Sequence, residues 1–163
     1  MKKLLTLTAS ALLLVACSSA QNGAELYGDA NGGWKDNVDI TNLEATALTK
    51  QLRKTGADVV YFSFNESGLD SEAKSTLRTQ ASWLKDNPQA LIVIEGRCDE
   101  RGTREYNLAL GDQRANAARS YLIAQGIAAN RIRTISYGKD KPVVLGSDEE
   151  AWAKNRSATS VAY

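Results

Sequence analysis

Asp99 and Arg114 are the side chains whose types and spacing point to chemistry. Asp99 sits in a polar stretch between Gly96 and Gly102. Arg114 follows about three helical turns later. A strand, a turn and a helix in that order can bring the two to one end of a sheet. A carboxylate beside a guanidinium can hold a zwitterionic group, each matching the ligand's opposite charge. They could also pair with each other as a surface ion pair, the commoner and weaker outcome for exposed charges. Catalysis finds little support. The chain has no histidine, which removes the usual general base and the commonest metal ligand. Cys98, Asp99 and Glu100 could imitate the corner of a metal site, but no further soft ligands accompany them. Two acids in one short loop are poorly arranged for carboxylate-pair hydrolysis. The net charge is +1, from 20 Lys and Arg against 19 Asp and Glu, so there is no global field to attract nucleic acid.

The elements that must position these groups read as follows. Leu91 to Ile94 is a β-branched apolar run, as a covered strand should be. Gly96 to Gly102 holds four charged residues and reads as a surface loop. Thr103 is placed to cap a long helix that ends near Gln125-Gly126, although Asn107 and Gly111 weaken its first turns. Before it, Val59 to Phe64 is a first strand. Ser71 is a cap for a helix with the stripe Leu77, Ala81 and Leu84, which Asn87-Pro88 stops. After it, Asn130-Arg131 opens a strand from Ile132 to Tyr137. Asp148 to Asn155 is a short helix carrying Trp152, and Ala158 to Ala162 is a last strand. Leu48 and Leu52 allow a short helix within a lead-in over 43–57. The order strand, helix, strand, helix, strand, short helix, strand makes one α/β domain over 58–163, a normal size for a single core.

The N-terminal part is of another kind. Met1-Lys2-Lys3, an apolar run from Leu4 to Ala16 and then Cys17 make a secretory signal over 1–16. The run is too short to span a membrane, which takes about 20 apolar residues. Leu14-Val15-Ala16-Cys17 resembles a bacterial lipobox, which implies cleavage before Cys17 and acylation of its thiol and its new amino group. Several acyl chains anchor firmly where one binds only marginally. Ser18 in place of aspartate implies, by the enteric sorting rule, export to the outer membrane with the domain facing the periplasm. Residues 17–42 are rich in Ser, Gly, Asn, Asp and Ala and read as a flexible tether. About 40 residues up to the first strand would reach roughly 130 Å extended and roughly 35 Å as a coil. With Cys17 lipidated, Cys98 has no partner within the chain, a feature to flag in an exported protein.

Over about Asp58 to Tyr163 the chain resembles the OmpA-like peptidoglycan-binding domain, specifically that of the peptidoglycan-associated lipoproteins. The matching residues are Glu95-Gly96, Cys98-Asp99-Glu100-Arg101-Gly102-Thr103, Glu105 to Gly111 and Arg114-Ala115, with Val60 to Asn65, Ser136 to Pro142 and Asn155-Arg156 in the right order. The resemblance implies a βαβαβ α+β sandwich, a mixed sheet with helices on one face. It implies a non-catalytic protein without a cofactor beyond the Cys17 lipid. In such a protein Asp99 and Arg114 hold the diaminopimelate of the peptidoglycan stem peptide. Arg101, Gly102, Thr103 and Asn107 complete the pocket, Leu108 packs beneath, and Phe64 and Asn65 line the other wall. It also implies exchange between the wall and the Tol machinery, with TolB as partner, in envelope integrity and cell division. The competing expectations are an exported domain that mainly binds a protein, or a periplasmic enzyme or chaperone on the same fold. Three departures from the family pattern bear on the site. Asn65 stands where aspartate is usual, Arg97 stands where histidine is usual, and the second arginine usual after Arg156 is missing. The first should weaken ammonium binding modestly. The second puts a cation near the site, to compete for Asp99 or to attract another stem carboxylate.

Overall fold

The structure is a computed structural model and describes residues 46–163. The signal peptide expected over 1–16, the tether expected over 17–42 with Cys17, and the first residues of the expected lead-in lie outside the described residues. The elements run α1 (Ala47–Lys54), β1 (Val59–Tyr61), α2 (Ser71–Asp86), β2 (Ile92–Arg97), α3 (Arg104–Ala124), β3 (Ile132–Gly138), α4 (Glu149–Asn155) and β4 (Ser157–Ala162). The four strands form one mixed sheet in the order β1-β4-β2-β3. β4 runs antiparallel to both β1 and β2, while β2 and β3 are parallel. The α/β order read from the sequence is therefore the order of the molecule.

The main core lies between this sheet and the helices. From α2 come Ala73, Leu77, Ala81 and Leu84, and from α3 come Ala115, Ala118 and Leu122. They meet Ile92 and Ile94 of β2, Ile132 of β3, and Ala158 and Ala162 of β4. This is the spacing an amphipathic helix needs to lay one stripe on a sheet. α1 adds Leu52 and is stitched to the sheet by Thr49, whose hydroxyl donates to Ala162 O at 2.7 Å and accepts from Ala162 N at 3.0 Å. The opposite sheet face carries a second cluster of Leu91, Val93, Val161 and Tyr163. Among the described residues no helix is long and apolar enough to cross a membrane.

Three boundaries differ from the sequence expectation. The cap of α2 is Asp70, not Ser71, because the Asp70 carboxylate accepts from Ala73 N at 2.7 Å. β1 stops at Tyr61, short of Phe64. Only one further ladder bond forms, from Phe62 N to Arg156 O, before the chain turns towards the site. The stretch Gly96 to Gly102 is not simply a surface loop. β2 continues through Arg97, Cys98 N donates to Gly138 O at 2.8 Å, and Cys98 and Asp99 are buried.

Gly111 weakens α3 as an isolated helix, and packing explains why it is there. A Cβ added at Gly96 would stand 1.9 Å from the Gly111 carbonyl oxygen, and one at Gly111 would stand 2.3 Å from Ser136 Oγ. The two glycines let α3 approach the sheet backbone where β2 ends. Gly96→Ala should therefore push the helix off the strand and cost about 3 kcal/mol. Urea denaturation with an unchanged m-value measures this, and a loss below about 1 kcal/mol would show that α3 yields freely.

Candidate functional site

Strand β2 delivers Asp99 two residues past its end, and α3, held close by the glycine pair, delivers Arg114. The segment after β1 brings Phe64 and Asn65 across from them. Together with Cys98, Arg101, Gly102, Tyr106, Asn107 and Leu110 these residues line one open cleft of ≈ 90 Å³. Asn65 has a φ of 59°, a left-handed conformation that asparagine tolerates better than most residues.

Asp99 and Arg114 are both buried, and they are not a surface ion pair. Arg114 is 1% exposed and binds backbone. Its Nε donates to Glu66 O at 2.8 Å, its Nη1 to Arg97 O at 2.8 Å and its Nη2 to Ser63 O at 3.2 Å. Three of its five N–H groups are thus engaged. Burial lowers its pKa, partly countered by Cys98 and Asp99 nearby, yet an arginine stays charged in a protein.

Asp99 instead takes two other arginines. Arg101 grips it in a fork, with Nη2 2.7 Å from Oδ2 and Nε 3.2 Å from Oδ1, and the Arg101 backbone N–H also donates to Oδ1 at 3.2 Å. Arg156 Nη1 donates to Oδ2 at 3.4 Å. Burial by itself would raise the Asp99 pKa, but the Arg101 and Arg156 hydrogen bonds outweigh it and hold the carboxyl below its ordinary value. Burial raises the Cys98 thiol, opposed by Arg114, and its Sγ–H donates to Asn107 O at 3.3 Å. A buried thiol kept protonated is inert.

The structure treats the remaining expected residues unevenly. Phe64, Asn65, Arg101, Gly102 and Asn107 line the cleft. Asn107 also braces the loop, donating to Arg101 O at 2.8 Å and Thr103 O at 3.0 Å. Thr103 acts as the cap of α3 through its hydroxyl and is not part of the lining. Leu108 does not pack beneath the pocket. It is 41% exposed, and Leu110, two residues on, lines the floor instead. Helical periodicity explains this, since Asn107, Leu110, Gly111 and Arg114 share the inward face.

Arg97 does not reach the cleft. It lies on the other sheet face, where its Nη2 pairs with Glu95 Oε2 at 2.5 Å and its Nε donates to Lys141 O at 3.1 Å. It therefore neither competes for Asp99 nor extends the site. Asn65 Oδ1 is not a free acceptor, because the Tyr106 hydroxyl donates to it. Cys98, Tyr106 and Leu110 also line the cleft and Arg156 stands beside Asp99, positions that the sequence reading does not give them. Arg156 is 7% exposed and is held by Phe62 O at 3.0 Å and Glu149 Oε1 at 2.7 Å as well as by Asp99. Its place beside Asp99 rests on pairing between β4 and the distant β1 and β2, which local sequence does not reveal.

Comparison with known proteins agrees with this fold. Residues 61–156 match the OmpA family. A peptidoglycan-associated lipoprotein of Rhizobium meliloti is 50% identical over 92% of this chain and 81% of its own length. One of Haemophilus influenzae is 39% identical over 96% of this chain and 94% of its own. The crystal structure of the peptidoglycan-associated lipoprotein of Burkholderia pseudomallei is 44% identical, with a TM-score of 0.63 over 65% of this chain and 90% of that one. The C-terminal domain of Helicobacter pylori MotB shares the fold at 18% identity and a TM-score of 0.58, over 64% of this chain and 84% of that one. The chain belongs to the OmpA family and, within it, to the peptidoglycan-associated lipoproteins. That family is structural and non-enzymatic.

The depressed Asp99 pKa fixes the sign of an acid effect. Its contribution to stability is complete above the ordinary carboxyl value of about 3.9 and is lost as pH falls below that, through the lower folded value. Asp99→Asn should lower stability by about 2 kcal/mol at pH 7. The gap should narrow as pH falls below about 4, towards the lower folded value of Asp99. Denaturation curves at pH 7 and pH 3 measure it, and a gap that does not depend on pH would remove the charge argument.

Proposed function

We propose that this protein binds the diaminopimelate-bearing stem peptide of peptidoglycan in the Asp99 cleft and ties the outer membrane to the wall. The observation that carries the reading is a buried carboxylate and a buried guanidinium on one open cleft, not bonded to each other. Diaminopimelate offers an ammonium and a carboxylate on one carbon. Asp99 is the acceptor for the ammonium, and the guanidinium groups at the cleft, Arg101 and Arg114, are the partners for the carboxylate. Phe64 and Tyr106, 58% and 48% exposed, wall the stem.

Similarity to the peptidoglycan-associated lipoproteins supports association with peptidoglycan. The lipid anchor is assigned to Cys17, with several acyl chains holding the chain in the outer membrane and the domain in the periplasm. The exposed aromatics at the rim also suit a protein partner of the Tol type such as TolB, so that wall and partner exchange at one face.

Two measurements test this. Full chain carrying Cys17→Ser, so that no lipid drives it down, should co-sediment with purified diaminopimelate-type peptidoglycan. Adding Asp99→Ala or Arg114→Ala, with folding checked by circular dichroism, should leave at least about tenfold less in the pellet, equivalent to about 1.4 kcal/mol. Folded protein that stays in the supernatant with intact wall would remove the wall-binding reading in favour of the protein partner. Separately, in membrane fractions of cells, Cys17→Ser should move the protein from the outer-membrane fraction to the soluble periplasm. Retention in the membrane would place the anchor elsewhere.

A further inference from the structure

The cleft holds its own cation. A carboxylate offers about four lone-pair sites, and Asp99 has four donors: the Arg101 backbone N–H and Nε on Oδ1, and Arg101 Nη2 and Arg156 Nη1 on Oδ2. An arriving ammonium finds this carboxylate full. Two of the four donors belong to the Arg101 side chain. It is the movable partner, with 32% of its side chain exposed against 9% for Arg156. Arg156 is further pinned by Phe62 O and Glu149. Among the described residues the Arg101 side chain hydrogen-bonds Asp99 alone. Its guanidinium lies between two rings, 4.0 Å from the Phe64 centroid and 4.2 Å from that of Trp152. Those rings form a slot in which a cation can shift while keeping an aromatic face.

We propose that Arg101 is the specificity-determining residue of the cleft. Its guanidinium occupies the place on Asp99 that a ligand ammonium must take. The site therefore admits a zwitterionic centre, whose carboxylate Arg101 accepts in exchange, and rejects a bare amine. This rests on the stem-peptide reading above and deepens it. The exchange has a simple physical balance. When an ammonium replaces Arg101 on Asp99, one ion pair with its two side-chain hydrogen bonds is lost and one ion pair is gained. An amine without a carboxylate leaves the displaced guanidinium with no anion, whereas an amino acid centre supplies one. Bidentate pairing of that carboxylate is what a guanidinium does and an ammonium does not. Phe64 and Trp152 keep the displaced side chain at the rim instead of letting it go free, which limits the entropy lost when it re-pairs.

The test uses the full chain with Cys17→Ser and two probes measured by calorimetry. One is a stem tripeptide ending in diaminopimelate, and the other is the same peptide with lysine in that place, which keeps the ammonium and lacks the side-chain carboxylate. The wild-type chain should prefer the diaminopimelate peptide by at least about tenfold. Arg101→Met keeps an apolar stem in the aromatic slot and frees Asp99. It should bind the lysine peptide about tenfold more tightly than wild type does, so that the preference falls to about threefold or less. A merely structural Arg101 would weaken both peptides together, and that result overturns the proposal. So does an unchanged preference. If wild type binds neither peptide but Arg101→Met gains the lysine peptide, Arg101 blocks Asp99 as stated and the stem-peptide reading fails. If neither protein, shown folded, binds either peptide, both fail.

Discussion

Everything at this end of the molecule meets at the Arg114 guanidinium. Three carbonyls converge on it, Ser63 and Glu66 from the segment after β1 and Arg97 from the end of β2. Arg97 is buried, and its carbonyl left without a donor would cost about 1–3 kcal/mol. A planar group with donors in fixed directions can satisfy three at once, which a lysine could not. The Phe62 ring lies 5.2 Å from the same guanidinium. The charge therefore sits among dipoles and a π-face in place of water. Arg114 shapes the cleft before any ligand enters it, because it fixes the distance between the Phe64 wall and the Asp99 floor.

That role depends on how closely α3 can approach the sheet. The Gly96–Gly111 contact removes the side chains that would otherwise hold the helix off, and Ser136 closes the corner by donating to Leu108 O at 2.6 Å. The loop between β2 and α3 is then braced from both sides. Asn107 takes the Arg101 and Thr103 carbonyls, Lys139 Nζ donates to Gly102 O at 2.6 Å, and Trp152 Nε1 donates to Glu100 Oε1 at 3.2 Å. The backbone of the loop is thus held independently of the Arg101 side chain, which is the more exposed partner of Asp99. A fixed frame with one movable charged side chain is what an exchange site needs.

How much of this was legible follows from the range of the interactions. The elements came from local pattern. The stripe of α2, the apolar run of β2 and the cap at Thr103 are all set by neighbours within a turn or a strand, and they stand where the pattern puts them. Asp99 and Arg114 were legible as a pair of chemical types, but their burial was not. Charges between two glycines look solvated, and it is the Arg101 fork, joined by the distant Arg156, that lets Asp99 be covered. Arg97 had a readable signal. Strand alternation puts it with Val93 and Glu95, away from Ile94 and Gly96, once β2 is carried three residues further than its apolar run. Leu108 had one too, since the helical face of Arg114 passes through Leu110. The Tyr106–Asn65 contact spans 41 residues and left no local trace.

The proposed exchange at Asp99 bears on how tightly such a site should hold. Trading one cation for another gains little net electrostatic energy, because the departing pair is of the same kind as the arriving one. The gain comes from what the ligand adds beyond its ammonium, namely a second ionic contact and burial against Phe64 and Tyr106. The cleft is small, so that burial is modest. A weak, fast-exchanging contact would be a poor free binder. It suits a chain anchored by lipid at one end, because confinement near the wall raises the effective concentration of stem peptide at the cleft. Under the proposed anchoring, occupancy is set by the tether, and the cleft is left to set which ligand is held. A site whose carboxylate is already filled by its own arginine is built for the second task at the expense of affinity.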